Sequence, residues 1–338
     1  MKTLYEYATE VMLVSIDKYL DVVKKTSNFT AFPPESLNDA DARDMILAGK
    51  SLLVLDYSPE ECARELERVS SIKFDIEKGV SYYVYKHARK HIQSLIEKAK
   101  EVSENFSCVS PNTIHTHPYL LPIWIAALAI GSKSNFKAIF GSADDHYISQ
   151  PAAQRVSNYA NDFFKEHTIS VVEITERVER TLEGIVRDLV GRVLFESIVE
   201  NALVKAEVPF MSESEYDGIE GVVYKFRADF VIPDNNNPLA FIEVRKSSSR
   251  HASLYAKDKM FGSINWKGKH ENLLGIIVTE GAWTNETLAT MSKVFDYVVP
   301  LSDVETLAKN IKKYLEGDNS ILKWIIHFSI DENPNANI

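Results

Sequence analysis

The hydrophobic periodicity of this chain changes once, near residue 205, and that change constrains the fold more than any other feature. Before it, apolar residues recur at helical spacing. In residues 5–24 they fall at Tyr5, Ala8, Met12, Ile16, Leu20 and Val23, on one stripe of a helix. After it, residues 222–232 alternate. Tyr224, Phe226, Ala228 and Phe230 take one face, and Lys225, Arg227 and Asp229 take the other. A chain that begins with period 3.6 and ends with period 2 broken by short helical segments points to a helical region followed by an α/β region.

The element order follows from the same patterns. Residues 1–150 read as mainly helical. Ser58-Pro59-Glu60-Glu61 opens one helix, because serine caps, proline suits the first turn and the glutamates suit the positive end. Residues 76–103 form a long polar helix. Residues 119–130 carry no charge but include Pro122 and are too short to span a bilayer, so a buried helix is expected and no membrane partner. Residues 144–150 read as a loop, and residues 151–205 as two more helices, the second over 191–203. Then come strands over 222–232 and 239–246, joined by the turn cluster Asp234-Asn235-Asn236-Asn237-Pro238, which suggests an antiparallel hairpin. A helix over 253–263, a central apolar strand over 273–279, a helix over 284–294, a strand over 295–299 and a helix over 304–315 ending at Gly317 complete the chain. The expected architecture is a mixed sheet flanked by helices. Its domains are a mainly helical region over 1–150 and an α/β domain over 151–330.

Charge narrows the function. The formal net charge of −10 excludes a protein that coats DNA non-specifically, since phosphate neutralisation needs a basic surface. It leaves room for an enzyme with one local basic patch. Between residues 245 and 269, Arg245, Lys246, Arg250, Lys257, Lys259, Lys267 and Lys269 face a single acid, Asp258. Cys62 and Cys108 stand far apart in no metal-ligand spacing, and the opening Met1-Lys2-Thr3-Leu4-Tyr5-Glu6-Tyr7 lacks a signal-peptide pattern. The expected setting is the cytoplasm, with both thiols reduced.

The strongest chemical signal is Arg227-Ala228-Asp229-Phe230-Val231-Ile232, followed fourteen residues after Asp229 by Glu243 in Phe241-Ile242-Glu243-Val244-Arg245-Lys246. Strand parity puts Asp229 on the polar face of its strand. Phe241, Glu243 and Arg245 share one face of the next strand, and Ile242, Val244 and Lys246 share the other. If the hairpin pairs in register, Asp229 and Glu243 converge, and two carboxylates at that separation suit Mg²⁺. Such an ion polarises a phosphate and lowers the pKa of an attacking water.

This pattern resembles the PD-(D/E)xK nuclease superfamily, which includes most type II restriction endonucleases. The resemblance covers residues 185–315. It implies a restriction-endonuclease-like fold and Mg²⁺-dependent hydrolysis of double-stranded DNA. A homodimer on palindromic sites would be the assembly. By that likeness Asp229 and Glu243 are the metal ligands. A leading helix carries Glu196 and Glu200, of which Glu200 is the expected third acid. The segment from Ser247 to Lys259 resembles the helix after the motif, with Arg250, His251, Lys257 and Lys259 as DNA-binding residues. Ala228 stands in place of the proline, which the family tolerates. Arg245 stands where the motif lysine belongs, a lysine thought to position the water and steady the phosphate. Arginine keeps the charge but cannot accept a proton. Three outcomes stay open: Arg245 serves electrostatically; Lys246, Lys257 or Lys259 reaches the site through a bulge or from the helix; or the chain is catalytically weak, by nature or through an engineered Lys→Arg exchange. A nuclease-fold DNA-binding protein without cleavage and a repair nuclease of the same superfamily are the alternatives.

Other motifs point to structure first. His87 and His91, four apart on a helix, have zinc-binding geometry but sit in the polar stretch Lys86-His87-Ala88-Arg89-Lys90-His91. His115-Thr116-His117 has no neighbouring acid or cysteine, and Asp144-Asp145-His146 reads as a loop cap.

Overall fold

A computed structural model describes residues 1–248 and 252–331. The chain divides into two compact units, Met1–Leu194 and Phe195–Ile338.

The first unit is helical: α1 (Leu4–Lys25), α2 (Ala40–Gly49), α3 (Pro59–Arg68), α4 (Ile76–Val102), α5 (Pro111–Thr116), α6 (Leu121–Ala127), α7 (Lys133–Phe140), α8 (Gln150–Glu166) and α9 (Val171–Leu189). Its helix starts are written in the sequence. Thr3 and Glu6 form a reciprocal capping box at α1, and Ser58 and Glu61 form another at α3, with Pro59 in the first turn. The long helix α4 buries one stripe, Val80, Val84, Ala88, Ile92, Leu95 and Ala99, and α1, α2 and α9 pack on it. The unit reaches residue 194 rather than ending near 150. The reason lies in the packing of α8 and α9. Ser157 Oγ on α8 donates to the Val109 carbonyl at 2.7 Å, and α9 lies against α1, α4 and α6. A π-helical turn, Val190–Leu194, follows α9.

The second unit holds α10 (Phe195–Lys205), β1 (Met211–Ser212), β2 (Phe230–Ile232), β3 (Ala240–Ser248), α11 (Ala252–Lys269), β4 (Leu274–Ala282), α12 (Asn285–Met291), β5 (Tyr297–Pro300) and α13 (Val304–Leu315). The strands lie in the order β1-β2-β3-β4-β5. β1, β2 and β3 pair antiparallel, whereas β3, β4 and β5 pair parallel. This is the expected mixed sheet. β4 is buried through its first six residues, as a central strand should be. Phe241 and Ile277 on one sheet face pack with Ala256 and Trp266 of α11 and with Met291 and Phe295.

The strand expected over 222–232 forms only at its end. Residues 222–224 spend their backbone groups on α11 instead. Val222 N–H donates to the Asn265 carbonyl at 3.0 Å, Val223 N–H to Asn265 Oδ1 at 2.8 Å, and Asn265 Nδ2 to the Tyr224 carbonyl at 2.9 Å. Phe226 makes an isolated bridge with Ile219. Alternation signals an extended chain, and here a buried asparagine, not a neighbouring strand, took the hydrogen bonds. The turn between β2 and β3 behaves as read: Asp234 Oδ1 accepts from Asn236 N–H and Asn237 N–H. Among the described residues no helix is long and apolar enough to cross a membrane.

A buried ion pair ties α11 to the sheet. The side chains of Lys267 and Asp296 are both fully out of solvent and in contact. Asp296 Oδ2 also accepts from Gly275 N–H at 2.7 Å, and Oδ1 accepts from Lys323 N–H and Trp324 N–H at 2.7 and 2.8 Å. Asp296→Ala strands an ammonium and three amides and is expected to cost about 3–5 kcal/mol in denaturant unfolding. Lys267→Met should cost less, because three backbone donors still serve the carboxylate. Equal losses, or a larger one for Lys267→Met, would contradict this account.

Candidate functional site

The hairpin register brings the acids together. Val231 pairs with Phe241 and Phe230 with Ile242. Carried one residue further, the register sets Asp229 opposite Glu243, and cross-strand partners share a face. The backbone around Asp229 is pinned. The Tyr216 hydroxyl donates to the Ala228 carbonyl and accepts from Ala228 N–H, both at 2.7 Å. Glu213 N–H donates to the Asp229 carbonyl at 2.9 Å. Asp229 Oδ2 accepts from Val244 N–H at 2.6 Å, so the side chain is held against β3.

Both carboxylates lie almost out of water, Asp229 at 6% and Glu243 at 1% exposure. Two buried like charges need a countercharge. Arg245, two residues beyond Glu243 and therefore on its face, supplies one. Its Nη1 lies 2.8 Å from Asp229 Oδ2 and 2.5 Å from the Val244 carbonyl, and its Nη2 lies 2.8 Å from Glu243 Oε2. A second cation arrives from α11: Lys259 Nζ lies 3.1 Å from Glu243 Oε2, with its side chain 13% exposed.

These charges set the protonation states. Burial pushes Glu243 up to about 7, the Asp229 charge adds to the rise, and Arg245 and Lys259 pull it back. Burial works against the Arg245 charge, but Glu243 and Asp229 outweigh it and hold the guanidinium more firmly protonated than usual. Glu196 on α10 adds to that hold.

The other expected site residues scatter. Glu200 is exposed on α10, and among the described residues no three His, Cys, Asp or Glu side chains gather closely enough to hold a metal. Glu196, one turn before Glu200, is the acid whose charge reaches Arg245. Lys246 stands on the opposite face of β3, its Nζ 6.0 Å from the Phe195 ring centre. The β3–β4 register runs unbroken from Ala240 to Ser248, so no bulge turns Lys246 toward Glu243. Lys257 is exposed on the outward side of α11. Arg250 and His251 lie outside the described residues.

Lys259, expected among the DNA-binding residues and as one of three lysines that could reach the site, is the one that lies beside Glu243. Ala252, Ala256, Lys259, Ser263 and Lys267 follow one another at intervals of three or four, a single stripe of α11. Four of these five are buried and the fifth, Lys259, is nearly so. A lysine on the sheet-facing stripe of a helix was the available signal. Three of the seven basic residues between 245 and 269 are thereby taken up inside the fold: Arg245 and Lys259 on the two acids, Lys267 on Asp296.

The donor set suits a hard divalent cation. Asp229 Oδ2, Glu243 Oε2 and the Val244 carbonyl are all oxygens, and all three gather on one guanidinium. Mg²⁺ accepts two carboxylates with waters completing its shell, so a third acid is not required. A cation and the Arg245 guanidinium would compete for the same oxygens.

The histidine motifs resolve into packing. His87 Nε2 meets Asp41 Oδ2 at 3.2 Å, whereas His91 Nε2 meets the Lys2 carbonyl at 3.0 Å and its ring stacks on Tyr7. His115 Nδ1 meets the Ile148 carbonyl and His117 Nδ1 the Thr113 carbonyl. Asp144 Oδ1 accepts from His146 N–H, the loop cap expected of it.

The raised Glu243 pKa makes stability depend on pH. A folded-state value near 7 against an ordinary 4.5 means the folded chain binds more protons between those limits. That contribution is complete below pH 4.5 and is lost as pH rises through about 7. In divalent-free buffer, the unfolding free energy of Glu243→Gln should therefore gain on the parent between pH 5 and pH 8, by up to about 3 kcal/mol. A pH-independent difference between the two would show that Glu243 titrates normally.

Comparisons of this chain with protein-family models, with curated proteins and with solved structures find no match.

Proposed function

We propose that the second unit is a Mg²⁺-dependent endonuclease of the PD-(D/E)xK type, acting on double-stranded DNA as a sequence-specific type II restriction enzyme. One observation carries this reading: Asp229 and Glu243 stand in register on adjacent strands, buried, with the Val244 carbonyl beside them and cations already drawn to the group. An acidic protein does not gather two carboxylates out of water for stability, because desolvation exceeds what their countercharges return.

Asp229 and Glu243 would hold the ion, with the Val244 carbonyl as a further oxygen. A bound ion would supply charge neutralisation at the phosphate and would acidify water. The chain's own part is positional. Tyr216 and Glu213 fix the backbone on either side of the Asp229 Cα, and β3 carries Glu243 on the strand next to it. Arg245, released from the carboxylates, would clamp a phosphate oxygen with its planar fork. It stays protonated and does not take the proton of the water. Water attacks phosphorus in line, a new O–P bond forms, and the bridging P–O bond breaks. A homodimer would place one such site on each strand of a palindrome.

A second reading is favoured by Arg245 itself. A guanidinium that already neutralises both acids suits a nuclease fold that binds DNA without cutting it.

Incubation with phage DNA separates them. The enzyme reading expects discrete fragments with Mg²⁺, none with chelator, and a loss on the order of 10²–10³-fold or more in Asp229→Ala. Fragments without sequence dependence would indicate a repair nuclease. Intact DNA, together with DNA binding that ignores both divalent ions and Asp229→Ala, would establish the non-cleaving alternative.

A further inference from the structure

We propose that Lys259, delivered from α11, is the lysine that meets the scissile phosphate and the attacking water, the task that Arg245 leaves open on the strand. The assignment rests on the nuclease reading above. Its warrant is geometric. Lys259 Nζ lies 3.1 Å from Glu243 Oε2, the same oxygen that Arg245 Nη2 holds at 2.8 Å. Lys259 sits on the sheet-facing stripe of α11, which brings its ammonium within ion-pair range of the carboxylate. Small residues let the helix come close enough. Ala256 and Ser263 flank Lys259 on that stripe, and a Cβ added at Gly275 of β4 would lie 3.2 Å from Ser263 Oγ.

The two cations are not equivalent. The Arg245 fork is occupied by Asp229, Glu243 and the Val244 carbonyl. Lys259 is a compact ammonium with three donors. It stands in ion-pair range of Glu243 Oε2 at 3.1 Å, and Asp258 Oδ2 lies at the longer distance of 3.9 Å. Its donors can serve a non-bridging phosphate oxygen and the water. In the step itself the water oxygen bonds to phosphorus and the bridging P–O bond breaks. The water's proton passes to solvent, and the leaving oxygen takes a proton from solvent. Lys259 acts by orientation and charge and is neither the donor nor the acceptor of these protons. Lys246 is on the other face of β3, Lys257 points outward, and Lys267 is committed to Asp296.

The test compares the parent with Lys259→Met, Lys259→Arg, Arg245→Lys, the double variant Lys259→Met/Arg245→Lys, and a surface control, Lys309→Met on α13. Plasmid cleavage with Mg²⁺, DNA affinity in Ca²⁺, Ca²⁺ affinity by calorimetry and thermal unfolding are measured on each. Lys259→Met should lose on the order of 10²–10³-fold in cleavage rate. It should lose only a few-fold in DNA affinity, about the share of one phosphate contact, and bind Ca²⁺ at least as tightly, since a cation beside Glu243 is gone. Lys259→Arg, which retains the charge and the fold, should remain slow. The double variant should recover part of the lost rate, because it returns a lysine to the strand. A purely structural role would not produce that rescue. A parent that cuts while folded Lys259→Met and Lys259→Arg cut equally fast overturns the assignment and leaves the nuclease reading standing. A loss of rate matched by a loss of DNA affinity, without rescue in the double variant, also overturns it. A parent that leaves DNA intact with Mg²⁺ overturns the nuclease reading and the assignment together.

Discussion

Asp229 and Glu243 face each other on neighbouring strands, nearly dry, and the Arg245 guanidinium spans both. That arrangement costs free energy to assemble. Each buried carboxylate gives up hydration worth several kcal/mol, and the opposing charges return only part of it. Burial therefore leaves Glu243 near neutrality in its proton affinity even with two cations at hand. On the proposed reading, a divalent ion would replace both the proton and the weaker organic countercharge. The rest of the second unit reads as the support for that contact: Tyr216 and Glu213 on the backbone flanking Asp229, Val244 N–H on its side chain, and α11 closing the face above Glu243.

α11 does two electrostatic jobs at once. Lys259 and Lys267 stand two turns apart on one stripe, the first on Glu243 and the second on Asp296. The Asp296 carboxylate has every lone-pair direction served by an ammonium or an amide. It is a closed structural contact that anchors the helix. The Glu243 carboxylate is flanked by two cations on a single oxygen. The closed pair fixes the register of the helix against the sheet, and the position of Lys259 beside Glu243 depends on that register.

Much of the fold was legible beforehand. Helix starts at Ser58, the long helix over 76–103, the apolar central strand and the last helix all rest on local signals: caps, period 3.6, uninterrupted apolar runs. The strand over 222–232 failed where local pattern and tertiary partner disagree. Its alternation is real, but Asn265, more than forty positions away, captured its backbone. Within the site, Asp229, Glu243 and Arg245 were readable because strand parity and hairpin register place them together. Glu200, the acid expected from the leading helix, lies exposed, and the charge that reaches Arg245 is that of Glu196. Both lie on one helix, and only the packing of α10 decides which acid turns toward β3.

What the sequence determined by itself is therefore periodic and local. It dictated a helical first part, a mixed α/β second part, and the pairing of two acids across a hairpin, because side-chain period and turn chemistry act over a few residues. What only the tertiary structure decided is the fate of the charges. Seven basic side chains between residues 245 and 269 look alike in one dimension. Folding sends one to bridge two acids, one from a helix to the same carboxylate oxygen and one into a sealed pair. Desolvation and the rotation of a helix about its axis make that choice, and neither is encoded within any short window of residues.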